Sequence, residues 1–152
     1  TIGSTTPSYD LETEVNETFP TDHITDALIV ETTKQFIGEI AQAPPIFSAL
    51  KKDGKRLYEY AREGKEVEIK KRLITITAFD IISIQNNMIS FRVTCSKGTY
   101  IRSLAHDFGL ALGSGAHLSS LRRTKIGDFN VNNAITTEAF NKLLNLNSEE
   151  NL

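Results

Sequence analysis

Between residues 66 and 95 the apolar side chains fall largely on every second position. Val67, Ile69, Leu73, Ile74, Ile76 and Ile81 come before Gln85-Asn86-Asn87, and Met88, Ile89, Phe91, Val93 and Cys95 come at or after the end of that break. A period of two gathers side chains on one face of a strand, whereas a helix would scatter them around its circumference. The polar Gln-Asn-Asn break supplies turn chemistry, so the two runs predict an antiparallel hairpin over 66–84 and 88–95.

The segments around it carry helical spacing. Leu28, Ile29, Phe36, Ile37 and Ile40 predict a helix from Thr25 to Ile40, with Thr25 as N-cap and Gly38 near its end. Leu57, Tyr58, Tyr60 and Ala61 fit one or two helical turns ending at Gly64. Ile101, Leu104, Ala105, Phe108, Leu110 and Leu112 predict a helix with a threonine N-cap at Thr99, stopped by Gly113-Ser114-Gly115. Leu118, Leu121, Ile126 and Phe129 lie in one or two further strands within 116–131, and a last short helix runs from Thr136 to Leu146. Residues 4–22 are loop-like, with too little periodicity for a packed element, and the polar tail from 145 frays at 148–151. Pro44-Pro45 breaks the chain before a short strand, Ile46 to Leu50, and a protruding basic turn, Lys51-Lys52-Asp53-Gly54-Lys55. The expected fold class is α+β, an antiparallel sheet with helices packed against it.

A chain of 152 residues, 39% hydrophobic, is one domain long and has material for a core. It has no apolar run of membrane-spanning length and no basic, apolar leader, so a soluble protein is expected. Cys95 has no partner for an internal disulfide, and His23, His106 and His117 lack metal-ligand spacing, so the reading is cytoplasmic, with no metal. The net charge of −2 conceals a division: residues 1–50 carry −7, residues 51–125 carry +8 and residues 126–152 carry −3. A basic centre suits a polyanion, because each phosphate neutralised releases condensed counterions; a solvated face is the plain alternative.

Three clusters could carry chemistry. In Cys95-Ser96-Lys97-Gly98-Thr99-Tyr100-Ile101-Arg102 a strand gives way to a glycine turn and a helix start. Backbone N–H groups there, with Lys97 and Arg102, would hold a carboxylate or phosphate, unless this is simply a capped helix with exposed cations. Cys95 could be a nucleophile beside a helix N-terminus, but its place in the alternation favours a buried small hydrophobe. From Ser48 to Arg62, cations interleave with tyrosines, which suits phosphates and stacked bases as well as a solvated turn over core tyrosines. Leu121-Arg122-Arg123-Thr124-Lys125 adds three cations in five residues.

Taken in order, these segments resemble the TruB family of pseudouridine synthases from Gly3 to about Leu144. Gly3-Ser4-Thr5-Thr6-Pro7-Ser8-Tyr9-Asp10 is similar to the family's Gly-x-x-Thr-x-Thr/Ser-x-Asp loop, and Gln42 through Gly64 resembles its RNA-gripping thumb. Cys95 to Arg102 is similar to its Ser-Lys-Gly-Thr-Tyr-Ile-Arg motif, followed by Gly115-Ala116-His117-Leu118 and Leu121-Arg122-Arg123.

The resemblance implies isomerisation of uridine to pseudouridine in the T loop of tRNA, on a mixed, mostly antiparallel sheet with flanking helices. An aspartate attacks the extruded uridine or its ribose, the C1′–N1 bond breaks, and the base rotates and rejoins through C5, without metal or organic cofactor. It implies that Arg102 ion-pairs with the catalytic aspartate, that Tyr100 is the active-site tyrosine, and that Asp10 joins the network around Arg102. Leu121 would pack on the flipped base, and Lys51, Lys52, Lys55, Arg56, Lys97, Arg122 and Arg123 would bind RNA.

The family's Gly-x-Leu-Asp-Pro-Leu-Ala-x-Gly motif has no counterpart here, since no Asp-Pro pair occurs. Thr1-Ile2-Gly3 also reads as the tail of a strand with nothing before it. The expectation is therefore a partial catalytic domain over 1–152, with a thumb at about 45–64 and no separate C-terminal RNA-binding domain. Alone it would be inactive; the whole would be a monomer, while exposed sheet edges would let the piece self-associate. The competing readings are a guide-RNA-dependent synthase relative, a non-catalytic RNA-binding module, and a Cys95 hydrolase.

Overall fold

The computed structural model describes residues 1–46, 51–52, 54–64 and 68–149. The expected strand positions 47–50 and 66–67, Asp53 of the basic turn and the tail at 150–152 lie outside the described residues. The chain forms two compact units, Thr1–Ser120 and Leu121–Leu152.

In the first unit, β1 (Ser4–Thr5) pairs antiparallel with β2 (Glu17–Thr18), and α1 (Asp26–Thr33) follows. Thr25 caps α1 as expected, its hydroxyl accepting from the Leu28 amide at 3.1 Å. The helix does not reach Ile40. A short 3₁₀ turn, Lys34–Phe36, gives way to β3 (Gly38–Gln42), and the change of direction falls at Gly38, whose φ of +98° is open to glycine alone at little cost. The apolar spacing of Phe36, Ile37 and Ile40 suited a helix; the ladder from β3 to the long hairpin, Gly38↔Ile76 through Gln42↔Arg72, made it a strand.

The basic segment forms a two-rung ribbon, β4 (Lys51–Lys52) and β5 (Lys55–Arg56), which leads into α2 (Leu57–Arg62). The hairpin is β6 (Arg72–Gln85) and β7 (Met88–Cys95), so its first strand starts six residues later than the alternation suggested. Asn86, at φ +54°, makes the turn between them, as the polar break predicted. Register shifts at Ile76/Ala78 and Ile81/Ser83 bend the pair, and the sheet order is β3-β6-β7, antiparallel throughout. On β7 the inward set is Ile89, Phe91, Val93 and Cys95, while Met88 is exposed.

The helix α3 (Ile101–Ala111) buries Ile101, Leu104 and Phe108 against this sheet. Phe36, Phe79, Phe91 and Phe108 form a chain of tilted ring contacts with centroids 5.3–6.3 Å apart, the geometry aromatic quadrupoles prefer. Gly109 lets the chain return closely: a Cβ there would lie 2.3 Å from the Ala116 backbone nitrogen. Residues 4–22 are more than a loop. Thr5, Thr6 and Ser8 are buried there, so the segment packs through hydrogen bonds, which a hydrophobic pattern does not record.

The second unit has a short ribbon, β8 (Lys125–Ile126) with β9 (Phe129–Asn130), turning at Gly127, and the helix α4 (Thr137–Glu149). Thr136 caps α4 through the Ala139 amide, and the helix runs three residues past the expected end. No helix among the described residues is long and apolar enough to cross a membrane.

Candidate active site

The loop from Gly3 to Glu17 is shaped around the Asp10 carboxylate. Ser8 is fully buried, and its hydroxyl donates to Asp10 Oδ1 at 2.6 Å while bonding Thr13 Oγ1 at 2.7 Å. The Glu12 amide donates to the same Oδ1 at 3.0 Å, and the Thr6 hydroxyl donates to the Asp10 carbonyl at 2.5 Å. With Oδ1 held by the loop, Oδ2 faces Arg102, whose Nη1 lies 3.8 Å away. Only about a fifth of each side chain is exposed, at 23% for Arg102 and 21% for Asp10, so solvent screens the pair weakly. Asp10 and Arg102 are thus brought together from opposite ends of the first unit.

Arg102 stands in the first turn of α3, and the start of that helix is fixed by a residue that the sequence marks only as the first of the thumb-like segment. Gln42, the last residue of β3, is 3% exposed. Its Oε1 accepts from the Tyr100 amide at 2.8 Å, and its Nε2 donates to the Tyr100 carbonyl at 3.1 Å. The expected cap, Thr99, instead donates its hydroxyl to the Ser96 carbonyl at 2.8 Å, and Tyr100 occupies the N-cap position. The Tyr100 N–H that a helix-start anion site would have offered is therefore already bonded to Gln42. The Ser103 hydroxyl, also buried, donates to the Ala43 carbonyl at 2.7 Å. Three side-chain bonds thus join the exit of β3 to the entry of α3. A polar residue at an inward strand position, in step with Ile40, was the signal available for Gln42.

A second contact joins α3 to the same loop. The Tyr9 ring stacks on His106 with centroids 3.9 Å apart and planes 12° from parallel. Burial pushes the His106 imidazole below its ordinary value, against the pull of Asp107. Burial, with Asp107 adding to it, pushes the Tyr9 phenol up. Burial also raises the Asp107 carboxyl, with His106 and Lys71 opposing.

The other sequence candidates are distributed as follows. Lys97 is exposed at the turn before α3. Lys55 pairs with Glu63 and lies 4.9 Å from the Tyr60 ring centroid. Arg56 donates to the Tyr58 hydroxyl at 3.2 Å, and Arg62 lies over the Tyr58 ring at 5.0 Å. Tyr58 and Tyr60 therefore contact this segment's own cations. Lys51 and Lys52 stand opposite Arg56 and Lys55 in the ribbon register. Leu121, Arg122 and Arg123 belong to the second unit, where all three are exposed. Cys95 is half-buried against the core. His117 Nδ1 meets the Ser4 carbonyl at 3.1 Å, and His23 Nε2 meets the Leu112 carbonyl at 2.8 Å. Among the described residues no group of His, Cys, Asp and Glu could hold a metal ion.

Residues 1–101 match the family described as TruB family pseudouridylate synthase (N terminal domain), and residues 102–152 match the tRNA pseudouridylate synthase B C-terminal domain. The tRNA pseudouridine synthase B of Flavobacterium johnsoniae is 64% identical over 143 residues, covering 94% of this chain and 62% of that protein. Its counterpart from Phocaeicola vulgatus is 50% identical over 139 residues, covering 91% and 59%. The chain thus spans about three fifths of the length of these curated relatives. Among solved structures, a Cbf5-Nop10-Gar1 complex matches with a TM-score of 0.56 at 38% identity, covering 71% of this chain and 28% of that one. An H/ACA RNP bound to a substrate RNA containing 2′-deoxyuridine matches with a TM-score of 0.62 at 29% identity, covering 85% and 32%.

Proposed function

The chain belongs to the TruB family of pseudouridylate synthases, and on that premise we propose that the protein isomerises uridine to pseudouridine in the T loop of tRNA. It does so in the cytoplasm, as a monomer and without a bound guide RNA. The observation that carries this reading is the Asp10–Arg102 pair: a carboxylate already held on one oxygen by its own loop, aimed at a guanidinium rooted in a helix start.

A guanidinium presents five N–H donors in a planar fork, so contact with one carboxylate is compatible with receiving another. In this reading Arg102 receives the nucleophilic aspartate of the family, which is not among these residues, and keeps it ionised and directed at the target ribose or base. Asp10 orients the fork. Tyr100, whose backbone Gln42 holds at both polar groups, stands beside the reacting uridine. Base extrusion is required because the reacting atoms are shielded inside the folded loop. Leu121 is assigned to the extruded base, and the segment at about 45–64 to gripping the RNA.

The charge pattern supports an RNA substrate. In the β4–β5 ribbon every register pair sets cation against cation, Lys51 opposite Arg56 and Lys52 opposite Lys55. Four cations within the six residues 51–56 suit a polyanion, because each phosphate neutralised releases condensed counterions. Lys97, Arg122 and Arg123 extend the phosphate contacts. Identity favours the stand-alone reaction over a guided one, at 64% to a bacterial tRNA pseudouridine synthase B against 38% to the Cbf5 complex.

Isomerisation replaces the C5–H bond of uridine by a C5–C1′ bond, so the test is tritium release from a T stem-loop RNA labelled at uridine C5. The complete protein should release tritium from the T-loop position without any added RNA. Release only in the presence of a guide RNA, or RNA binding without release, would overturn the proposal in favour of the guided relative or the binding module.

A further inference from the structure

Tyr9 is one of two described non-glycine residues with positive φ, at +66°, and it directly precedes Asp10. The left-handed region is strained for an ordinary side chain, so something must hold it there. Backbone bonds hold part of it: the Tyr9 amide donates to the Thr6 carbonyl at 3.1 Å, and the Leu118 amide donates to the Tyr9 carbonyl at 2.8 Å. The rest is the flat contact of its ring with His106, at 3.9 Å and 12°. His106 lies four residues after Arg102 on α3, which places both on one face of the helix. One helix face therefore meets two consecutive loop residues: Arg102 meets Asp10, and His106 meets Tyr9.

Among the described residues, the buried His106 Nδ1 has no hydrogen-bond partner, so what the imidazole offers on that side is its ring. The contact His106 makes with the loop is the flat face of its ring against Tyr9. We propose that His106 is a positioning residue for the Asp10–Arg102 pair, a flat support under Tyr9 that fixes the left-handed turn and so aims the Asp10 carboxylate at the guanidinium. The proposal rests on the reading that this pair serves catalysis.

The test measures, in the complete protein, single-turnover conversion of a T stem-loop, RNA affinity and the unfolding midpoint for His106→Ala, His106→Leu and His106→Phe, each also combined with Asp10→Asn. His106→Ala and His106→Leu should slow conversion roughly tenfold, because sub-ångström misplacement of a charged partner is costly, while affinity stays within about twofold. His106→Phe, which keeps a flat ring, should recover to within about threefold of the parent. With Asp10→Asn already present, His106→Ala should cause no further loss, since the two act through one carboxylate. If His106→Ala does not fold, the Leu and Phe variants decide the matter, and equal rates for them would overturn the proposal. Full additivity with Asp10→Asn, or a loss confined to affinity, would overturn it while leaving the pair's role intact. An Asp10→Asn protein with parental turnover would overturn both the pair's role and this proposal.

Discussion

Replacing Gln42 by methionine probes the clamp that seats the α3 entry. The side chains are close in volume, so packing changes little, but both amide bonds to Tyr100 vanish. The Tyr100 N–H loses its partner, at about 1–3 kcal/mol for a part-buried orphan donor. Its carbonyl suffers less, because the Leu104 amide still donates to it at 3.0 Å. Allowing for the apolar gain of a buried methionine, the net loss is about 2 kcal/mol, roughly a thirtyfold fall in the folding equilibrium. Urea unfolding at pH 7 measures it, with faster hydrogen exchange at the Tyr100 amide as the local sign. Gln42→Glu sharpens the argument. Its carboxylate still accepts from the Tyr100 amide but sets an acceptor against the Tyr100 carbonyl, so its folded-state pKa rises. The folded state then takes up a proton first, and stability lost at pH 7 returns as the pH falls towards 5. A Gln42→Met protein within about 0.5 kcal/mol of the parent, or a pH-independent Gln42→Glu deficit, would refute the clamp.

Neutralising Lys51, Lys52 and Arg56 together should weaken T stem-loop binding and reduce the slope of log affinity against log salt by about two to three; an unchanged slope would place the RNA elsewhere. Gly109→Ala should destabilise by about 2 kcal/mol or more despite alanine's better helix propensity, because the new Cβ meets the Ala116 backbone at 2.3 Å; a stabilised variant in thermal unfolding would contradict that approach. Burial lowers the folded-state pKa of His106 below the ordinary 6.5, so the unfolded chain protonates first. As pH falls below about 6.5, the parent should therefore lose thermal stability relative to His106→Phe, with no change in the difference above it; parallel pH profiles would remove that assignment.

The features legible in the sequence were those with a short repeat. The β6–β7 hairpin followed from period-two alternation, and α3 from its apolar face with Gly113 as terminator, at φ +68°. The Asp10 loop and the Arg102 segment were recognisable as ordered motifs, and in the structure Asp10 Oδ2 lies 3.8 Å from Arg102 Nη1. What escaped depends on partners distant in sequence. β3 passed for the end of a helix because Phe36, Ile37 and Ile40 fit either period, and only its ladder with β6 decides. Thr99 passed for a cap because the true partner of the Tyr100 amide lies 58 residues away. Thr6 and Ser8 looked like loop residues because hydroxyls buried by hydrogen bonding leave no trace in an apolar pattern. The Tyr9–His106 stack joins two residues that no local spacing connects.

If the guanidinium at position 102 receives a carboxylate as a fork, Arg102→Lys removes that geometry and little else. A lysine keeps the charge but loses the planar, two-point geometry. Single-turnover conversion of the T-loop uridine should fall by about a hundredfold or more, while T stem-loop affinity stays within about threefold. Parental conversion with weakened binding would make Arg102 a phosphate contact and contradict the account.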